Sequence, residues 1–329
     1  MKPSRLIILD LYRGLAAFLV MIYHFQESFN TTFLDNILVT NGHIFTDYFF
    51  VLSGFVIHYS YISKNYPFKF LLKRFNRVYP LLFSVSLVYF IYRILGNLIV
   101  NHGDYNIIKD IVIQFLYSIF LLNSTPVLDN MSGTIGPSWS ISGEIIAYIV
   151  YALCMGIGNR DKSVLLITII SLLTLYILGD FYFTNNWGFV RTIFGFNLGV
   201  IIANNLKRKQ SLITLFLVLI ISLIFWDNEV SFGAILNILF ALLIKITASI
   251  KVGDNLFNIF ELIGKYSFGF YLWHRIVINV LFRTNLYFQI PQVSAVLVFN
   301  VMVVTIFSTI LSYMTYQLIE TKVRIFKII

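Results

Sequence analysis

Ten apolar runs follow one another, with short gaps, from residue 8 to residue 318 of this 329-residue chain. About 20 apolar residues carry an α-helix across the hydrocarbon core of a bilayer, and in lipid only helices and closed barrels satisfy their own backbone groups. The runs are 8–27, 44–62, 79–100, 139–157, 163–179, 188–204, 211–226, 231–248, 265–283 and 293–318. Only 12% of the residues are charged, where a soluble domain carries about 25%. The chain therefore reads as an all-α polytopic membrane protein with about ten transmembrane helices. No Gly/Ser-rich, charged or low-complexity stretch interrupts it, so one integral domain over 1–329 is expected. The N-terminal run lacks a small-residue cleavage site and should remain as a helix.

A net charge of +9 raises the question of nucleic acid. The basic residues, however, sit in the gaps between apolar runs and build no continuous surface, so no nucleic-acid partner is expected. The positive-inside rule accounts for them better. The run 111–123 is too short to span. If it stays on one side, nearly every basic group shares the opposite face: Lys2 and Arg5, the 64–77 cluster, Arg160 and Lys162, 207–209, Lys251, Lys265 and 322–327. The expected topology has both termini cytoplasmic and 111–123 as a re-entrant or interfacial helix outside. The single cysteine, Cys154, lies in an apolar run without a basic neighbour and reads as core packing.

Two ionisable residues, Arg13 and His24, interrupt the first run, LDLYRGLAAFLVMIYHF. A charge at bilayer depth costs about 2.5–3.5 kcal/mol on insertion scales, so such groups face a protein interior and mark function. Eleven residues at ~100° each bring both side chains to one helix face, roughly 16 Å apart. Asp10, Ala17 and Val20 share that face, and the stripe reads as a lined passage. On the expected topology Glu144 and Asp47 lie at a depth similar to that of His24. A carboxylate beside an imidazole fixes its tautomer and raises its basicity. His24 is thus the candidate general base, with Glu144 or Asp47 as its orienting partner; the plainer alternative is interhelical hydrogen bonding. His274 is either an interfacial packing residue or a second functional histidine, and Arg275 beside it should seek a partner or water.

FKFLLKRFNRVYP reads as an interfacial amphipathic helix ending at Pro80, with Phe70, Leu71, Phe75 and Val78 toward lipid and Lys73, Arg74 and Arg77 toward water. The basic residues serve either anionic lipid and topology, or a phosphate site in which Arg74 and Arg77, three residues apart, present two guanidinium forks on one face. No nucleophile elbow, Walker loop, H-E-x-x-H or paired C-x-x-C is present, and the five dispersed histidines suggest no metal site. Ser53-Gly54 reads as close helix packing.

These segments, taken in order, resemble the membrane acyltransferase-3 family, which includes bacterial O-antigen and exopolysaccharide O-acyltransferases. The resemblance rests on seven blocks: the Arg-to-His first helix, DYFFVLSGF from Asp47, KRFNRVYP, PSWSISGEIIAY, RTIFGFNLG, IGKYSFGFYLWH and the closing YQLIE. Tyr12 stands where the family often has Leu, Gly143 where it often has Val, and no proline follows Glu320-Thr321. No fused extracytoplasmic hydrolase-like domain is expected. The resemblance implies transfer of an acyl group, most often acetyl, from cytoplasmic acyl-CoA to a hydroxyl of a surface or lipid-linked glycan, at the bacterial inner membrane and with no tightly bound cofactor. It further implies CoA phosphates on Arg74 and Arg77 with Lys73 nearby, Arg13 guiding the pantetheine arm to His24, and Trp139, Ser140, Arg191, Tyr271 and His274 as substrate or structural support. The rival readings are a proton-coupled transporter or glycan flippase, and acylation of a lipid or small molecule. No internal repeat favours the transporter.

Overall fold

The computed structural model describes residues 6–32, 36–61, 66–127, 131–157, 159–204, 210–248, 250 and 253–326. Several residues of the charge argument, Lys2, Arg5, Lys64, Lys207, Arg208, Lys209, Lys251 and Lys327, lie outside them.

Twelve α-helices and no strand occur among the described residues: α1 Ile7–Phe29, α2 Ile37–Thr40, α3 Phe45–Tyr61, α4 Pro67–Val100, α5 Tyr105–Ile119, α6 Ser138–Gly156, α7 Arg160–Leu178, α8 Gly188–Asn204, α9 Gln210–Ile224, α10 Asn228–Thr247, α11 Asp254–Tyr287 and α12 Ser294–Thr315. Each of the ten apolar runs falls on a helix. Six helices are long and apolar enough to cross a membrane: α1, α4, α6, α7, α10, and α12 with its π-helical extension to Glu320. The 17-residue helices α3 and α8 are shorter than that, and the 34-residue α11 carries polar residues along its length. The protein is a helical membrane protein with at least this set of candidate spans.

Glycine decides how closely α3 and α8 approach. A Cβ on Gly54 would sit 1.8 Å from the Phe196 carbonyl oxygen, and one on Gly199 would sit 1.9 Å from that of Val51. Backbone therefore meets backbone, the contact that small residues permit between membrane helices. Around this crossing α3, α6, α7, α8 and α10 share one apolar core; α1, α11 and α12 share a second. A girdle of exposed Leu, Ile, Val and Phe surrounds both. In lipid that girdle is the solvated surface.

Two expectations for the basic segment change. The helix does not end at Pro80: α4 runs unbroken through it. Pro80 lacks the N–H that would reach the Asn76 carbonyl, and membrane helices tolerate that loss where neighbours enclose the site. Pro80 is buried, and the Asn76 amide pairs with the backbone of Phe326, donating to its carbonyl at 2.7 Å and accepting from its N–H at 2.9 Å. Nor do Phe70 and Val78 face lipid. Phe70 is fully enclosed, edge-on to Tyr61, Tyr148 and Tyr151, and Val78 belongs to the interior. Lipid tails are as apolar as the bundle interior, so what holds these side chains inside is close packing against protein and not removal from water.

The short run 111–123 falls on α5, which begins and ends earlier than expected. Asp104 caps it by accepting from the N–H groups of Asn106 and Ile107. It packs on α4 through a Phe90–Phe115 stack at 4.5 Å and an Arg93–Gln114 hydrogen bond.

Candidate functional site

Two polar cavities lie inside the bundle. The larger, about 980 Å³, is lined by Arg13 of α1, Lys73, Arg74 and Arg77 of α4, Lys265 of α11, and Arg324. Asp10, Glu144, Glu261 and Glu320 supply its acids, so cations outnumber carboxylates six to four. Its size falls at the upper end of the range for small-molecule sites, about 300–1,000 Å³. The Arg74 guanidinium lies over the Tyr61 and Phe70 rings at 5.8 and 5.9 Å, and its buried Nε has no hydrogen-bond partner. A buried donor left unmet costs about 1–3 kcal/mol, which an anionic ligand would recover. Arg13 keeps a long contact of 3.5 Å to Asp10. The four basic residues expected to act together on a phosphorylated ligand thus share one cavity.

The smaller cavity, about 420 Å³, holds His24, Glu27, Arg275, Tyr23, His43, Trp139, Tyr182 and Arg191 among its walls. His24 Nδ1 lies 3.0 Å from Glu27 Oε2, one turn further along α1. Arg275 of α11 donates to the same carboxylate oxygen at 3.0 Å and to Ser28 Oγ at 3.0 Å. With Nδ1–H donating to Glu27, Nε2 keeps its lone pair, the tautomer a general base needs. His274 lies behind the ring, fully buried and stacked on it at 5.4 Å, and lines neither cavity.

Neither carboxylate expected at His24 is its partner. Asp47 accepts two hydrogen bonds from Arg191, at 2.7 Å from Nε and 2.8 Å from Nη2, and is fully buried. Three rings, of Trp139, Phe181 and Tyr182, lie within 5.8 Å of that guanidinium. Glu144 lines the larger cavity and accepts from Ser53 Oγ and Tyr148 Oη, both at 2.5 Å. Similar depth does not bring side chains together when each carboxylate already has partners elsewhere, Asp47 on Arg191 and Glu144 on Ser53 and Tyr148. The true partner, Glu27, has a local signal: it stands three residues after His24 on the same helix face. At the end of an apolar run it reads instead as a loop charge.

The stripe on α1 is not a passage. Ala17 and Val20 are buried and line neither cavity. Ala17 packs in the core shared with α11 and α12. Close approach enforces this, since a Cβ on Gly14 would lie 2.0 Å from Ile263 and one on Gly264 would lie 2.3 Å from Asp10. Arg13 therefore belongs to the larger cavity and His24 to the smaller. Trp139 and Ser140, adjacent on α6, also fall one to each side. Tyr271 and Thr46 border both cavities.

His43, which the sequence did not single out, lines the smaller cavity in the 3-10 turn Gly42–Ile44 before α3. Its ring packs against Tyr23 and Tyr182 at 5.3 and 5.1 Å. Burial, then Arg191 and His24, push its imidazole down to about 4.

Fold and lining together define a helical membrane protein with a cationic chamber and an imidazole chamber meeting inside it. A family profile described as "Acyltransferase domain" matches residues 6–316, and the chain belongs to that acyltransferase-3 family. Among curated proteins, "Protein 2 in picA locus" of Rhizobium radiobacter is 26% identical over 196 residues, 54% of this chain and 97% of that protein. No solved structure matches. The family makes acyl transfer the chain's activity and the protein a transferase.

Proposed function

We propose that the protein transfers an acyl group, most simply acetyl, from acyl-CoA to a hydroxyl of a cell-surface or lipid-linked glycan, acting in a bacterial inner membrane with both termini cytoplasmic. The observation that carries this reading is the division of labour between the cavities. A cationic chamber suits a phosphorylated donor, an imidazole with a free nitrogen suits a hydroxyl acceptor, and the two adjoin. Arg74 and Arg77 hold the CoA phosphates through charge-assisted hydrogen bonds, with Lys73 and Arg13 adding positive charge. The donor arm then reaches toward Tyr271 and Thr46, while the acceptor enters beside His24.

His24 Nε2 removes the acceptor's hydroxyl proton as the oxygen attacks the thioester carbonyl carbon. The carbon–sulfur bond breaks, CoA leaves as thiolate, and the imidazolium returns a proton to it. Glu27 keeps Nδ1–H oriented and stabilises the imidazolium that forms, the role a carboxylate plays behind a catalytic histidine. CoA itself need not cross the membrane. The expected location of the α5 segment on the outer side follows the same orientation.

The test is turnover by purified protein with labelled acetyl-CoA and a panel of envelope glycans. Acylated glycan and free CoA should appear in equal amounts, and His24→Ala should abolish both while acetyl-CoA still binds. Undiminished turnover by His24→Ala would remove the base from the scheme; transport of glycan without acylation would replace the scheme altogether.

A further inference from the structure

Among the described residues, Tyr271 and Thr46 are the two whose side chains border both cavities. Tyr271 is the larger and the better anchored. Its hydroxyl lies 3.0 Å from Ser140 Oγ and 3.4 Å from the Pro137 carbonyl, so it bridges α11 to the start of α6. Its ring meets Phe49 of α3 edge-on at 5.6 Å and His274 at 5.7 Å. One turn further along α11 come His274, stacked on the base, and Arg275, which holds the base's carboxylate. A single helix thus carries the wall between the chambers, the ring behind His24 and the clamp on Glu27.

We propose that Tyr271 is the junction residue of the transfer: its ring closes the opening between the chambers at rest, and its hydroxyl donates to the thioester carbonyl oxygen during the reaction. The inference rests on the acyl-transfer reading above. If the donor comes from the cationic side and the acceptor from the imidazole side, bond formation takes place at the wall they share. Attack on a thioester puts negative charge on its carbonyl oxygen, and a neutral O–H donor placed there stabilises the charge without adding a formal charge of its own. Tyr271 is the aromatic residue with a hydroxyl that borders both compartments.

Its resting partners suit such an exchange. At 3.4 Å the contact to Pro137 is longer than an ordinary O–H···O bond, and Ser140 Oγ also donates to the same carbonyl at 2.9 Å. Releasing Tyr271 therefore leaves Ser140 and Pro137 paired with each other. In the reacting state the acceptor oxygen bonds to the carbonyl carbon, its proton passes to His24, and the carbonyl oxygen takes the Tyr271 hydrogen bond. When the carbon–sulfur bond breaks, its electrons leave with sulfur, the carbonyl re-forms, and the hydroxyl returns to Ser140.

The experiment compares wild type, Tyr271→Phe, Ser140→Ala and Tyr271→Ala in proteoliposomes. Tyr271→Phe keeps the ring and loses the donor: kcat should fall about 100-fold or more with KM for acetyl-CoA nearly unchanged, the size seen when one such donor is removed. Fluorinated tyrosines at 271, which leave the ring's packing in place, should change kcat in step with the acidity of the hydroxyl. Ser140→Ala removes one of the hydroxyl's resting partners, leaving the Pro137 carbonyl and Thr46, and should lower kcat less than tenfold. Tyr271→Ala should speed dissipation of a pH gradient across the vesicle membrane several-fold, a measurement independent of turnover. Tyr271→Phe with kcat within threefold of wild type, or Ser140→Ala as damaging as Tyr271→Phe, overturns the donor role and leaves the acyl-transfer reading intact. A Tyr271→Ala leak equal to wild type overturns the closing role. A wild type that never releases CoA overturns the acyl-transfer reading and the donor role together, and the leak still decides whether the ring is the seal.

Discussion

Two carboxylate–guanidinium pairs sit near the smaller cavity, and they differ in almost every physical respect. Asp47–Arg191 is bidentate, fully buried, roofed by three aromatic rings and joins α3 to α8. Glu27–Arg275 is single-pronged, with a Glu27 side chain 52% exposed, and its carboxylate also holds an imidazole. In the first pair both carboxylate oxygens of Asp47 are engaged by Arg191. The second shares its carboxylate with the His24 ring, and both residues line the smaller cavity. Position in sequence offered Glu144 or Asp47 as a partner for His24; burial and geometry place Asp47 in the frame and Glu27 beside His24.

Breaking the frame should produce the largest effect. Asp47→Ala leaves the Arg191 charge buried without its counter-ion, a loss of about 3–5 kcal/mol. Detergent-solubilised protein should show a sharply lowered unfolding midpoint or fail to accumulate. Replacing both residues, Asp47→Asn with Arg191→Met, should recover part of the loss, because the uncompensated charge is gone. A midpoint for Asp47→Ala equal to that of wild type would show that the pair is not what holds α3 to α8.

Breaking the other pair should act on turnover with little effect on folding. Glu27→Gln is expected to lower kcat about tenfold, well short of the loss seen for a buried orienting carboxylate, since water screens a half-exposed one. KM for acetyl-CoA should not move, because Glu27 borders only the smaller chamber. The converse holds in the larger cavity. Arg77→Ala should raise KM for acetyl-CoA about tenfold, the worth of one screened charge-assisted contact, and leave kcat near wild type. A variant that shifted both parameters equally would blur the division between chambers on which the mechanism stands.

The helices were legible in the sequence because lipid leaves a chain so few options: all ten apolar runs are helical, and the 3.6-residue period placed Arg13 and His24 on one face correctly. The local basic motif was legible too, since Arg74 and Arg77 do line one cavity together. What the pattern could not supply was adjacency between helices. The stripe from Arg13 to His24 is real on α1, yet α11 packs onto its middle and sends any passage past Thr46 and Tyr271. Pro80 misled for a related reason: its local meaning is a helix end, and enclosure by the bundle overrides it. The sequence named Tyr271 as substrate or structural support, but its place between the cavities depends on contacts from α11 to α6 and α3 that no single block carries.

The smallest expected effect separates the two imidazoles of the smaller cavity. Burial, Arg191 and His24 hold the His43 side chain down to about 4, below the usual value of about 6.5. Between those limits the unfolded chain takes up a proton that folded His43 refuses, so folding stability falls as pH drops from about 6.5 toward 4 and is unaffected above that window. His43→Gln should therefore flatten the decline in unfolding midpoint between pH 7 and pH 5 and leave the midpoint at pH 8 unchanged. The same neutrality means that His43 takes no part in the pH dependence of turnover between pH 6 and 8. Wild type and His43→Gln should then trace one kcat profile there, scaled by a constant. Curves of different shape would instead assign His43 a proton in the reaction and divide the base role between two rings.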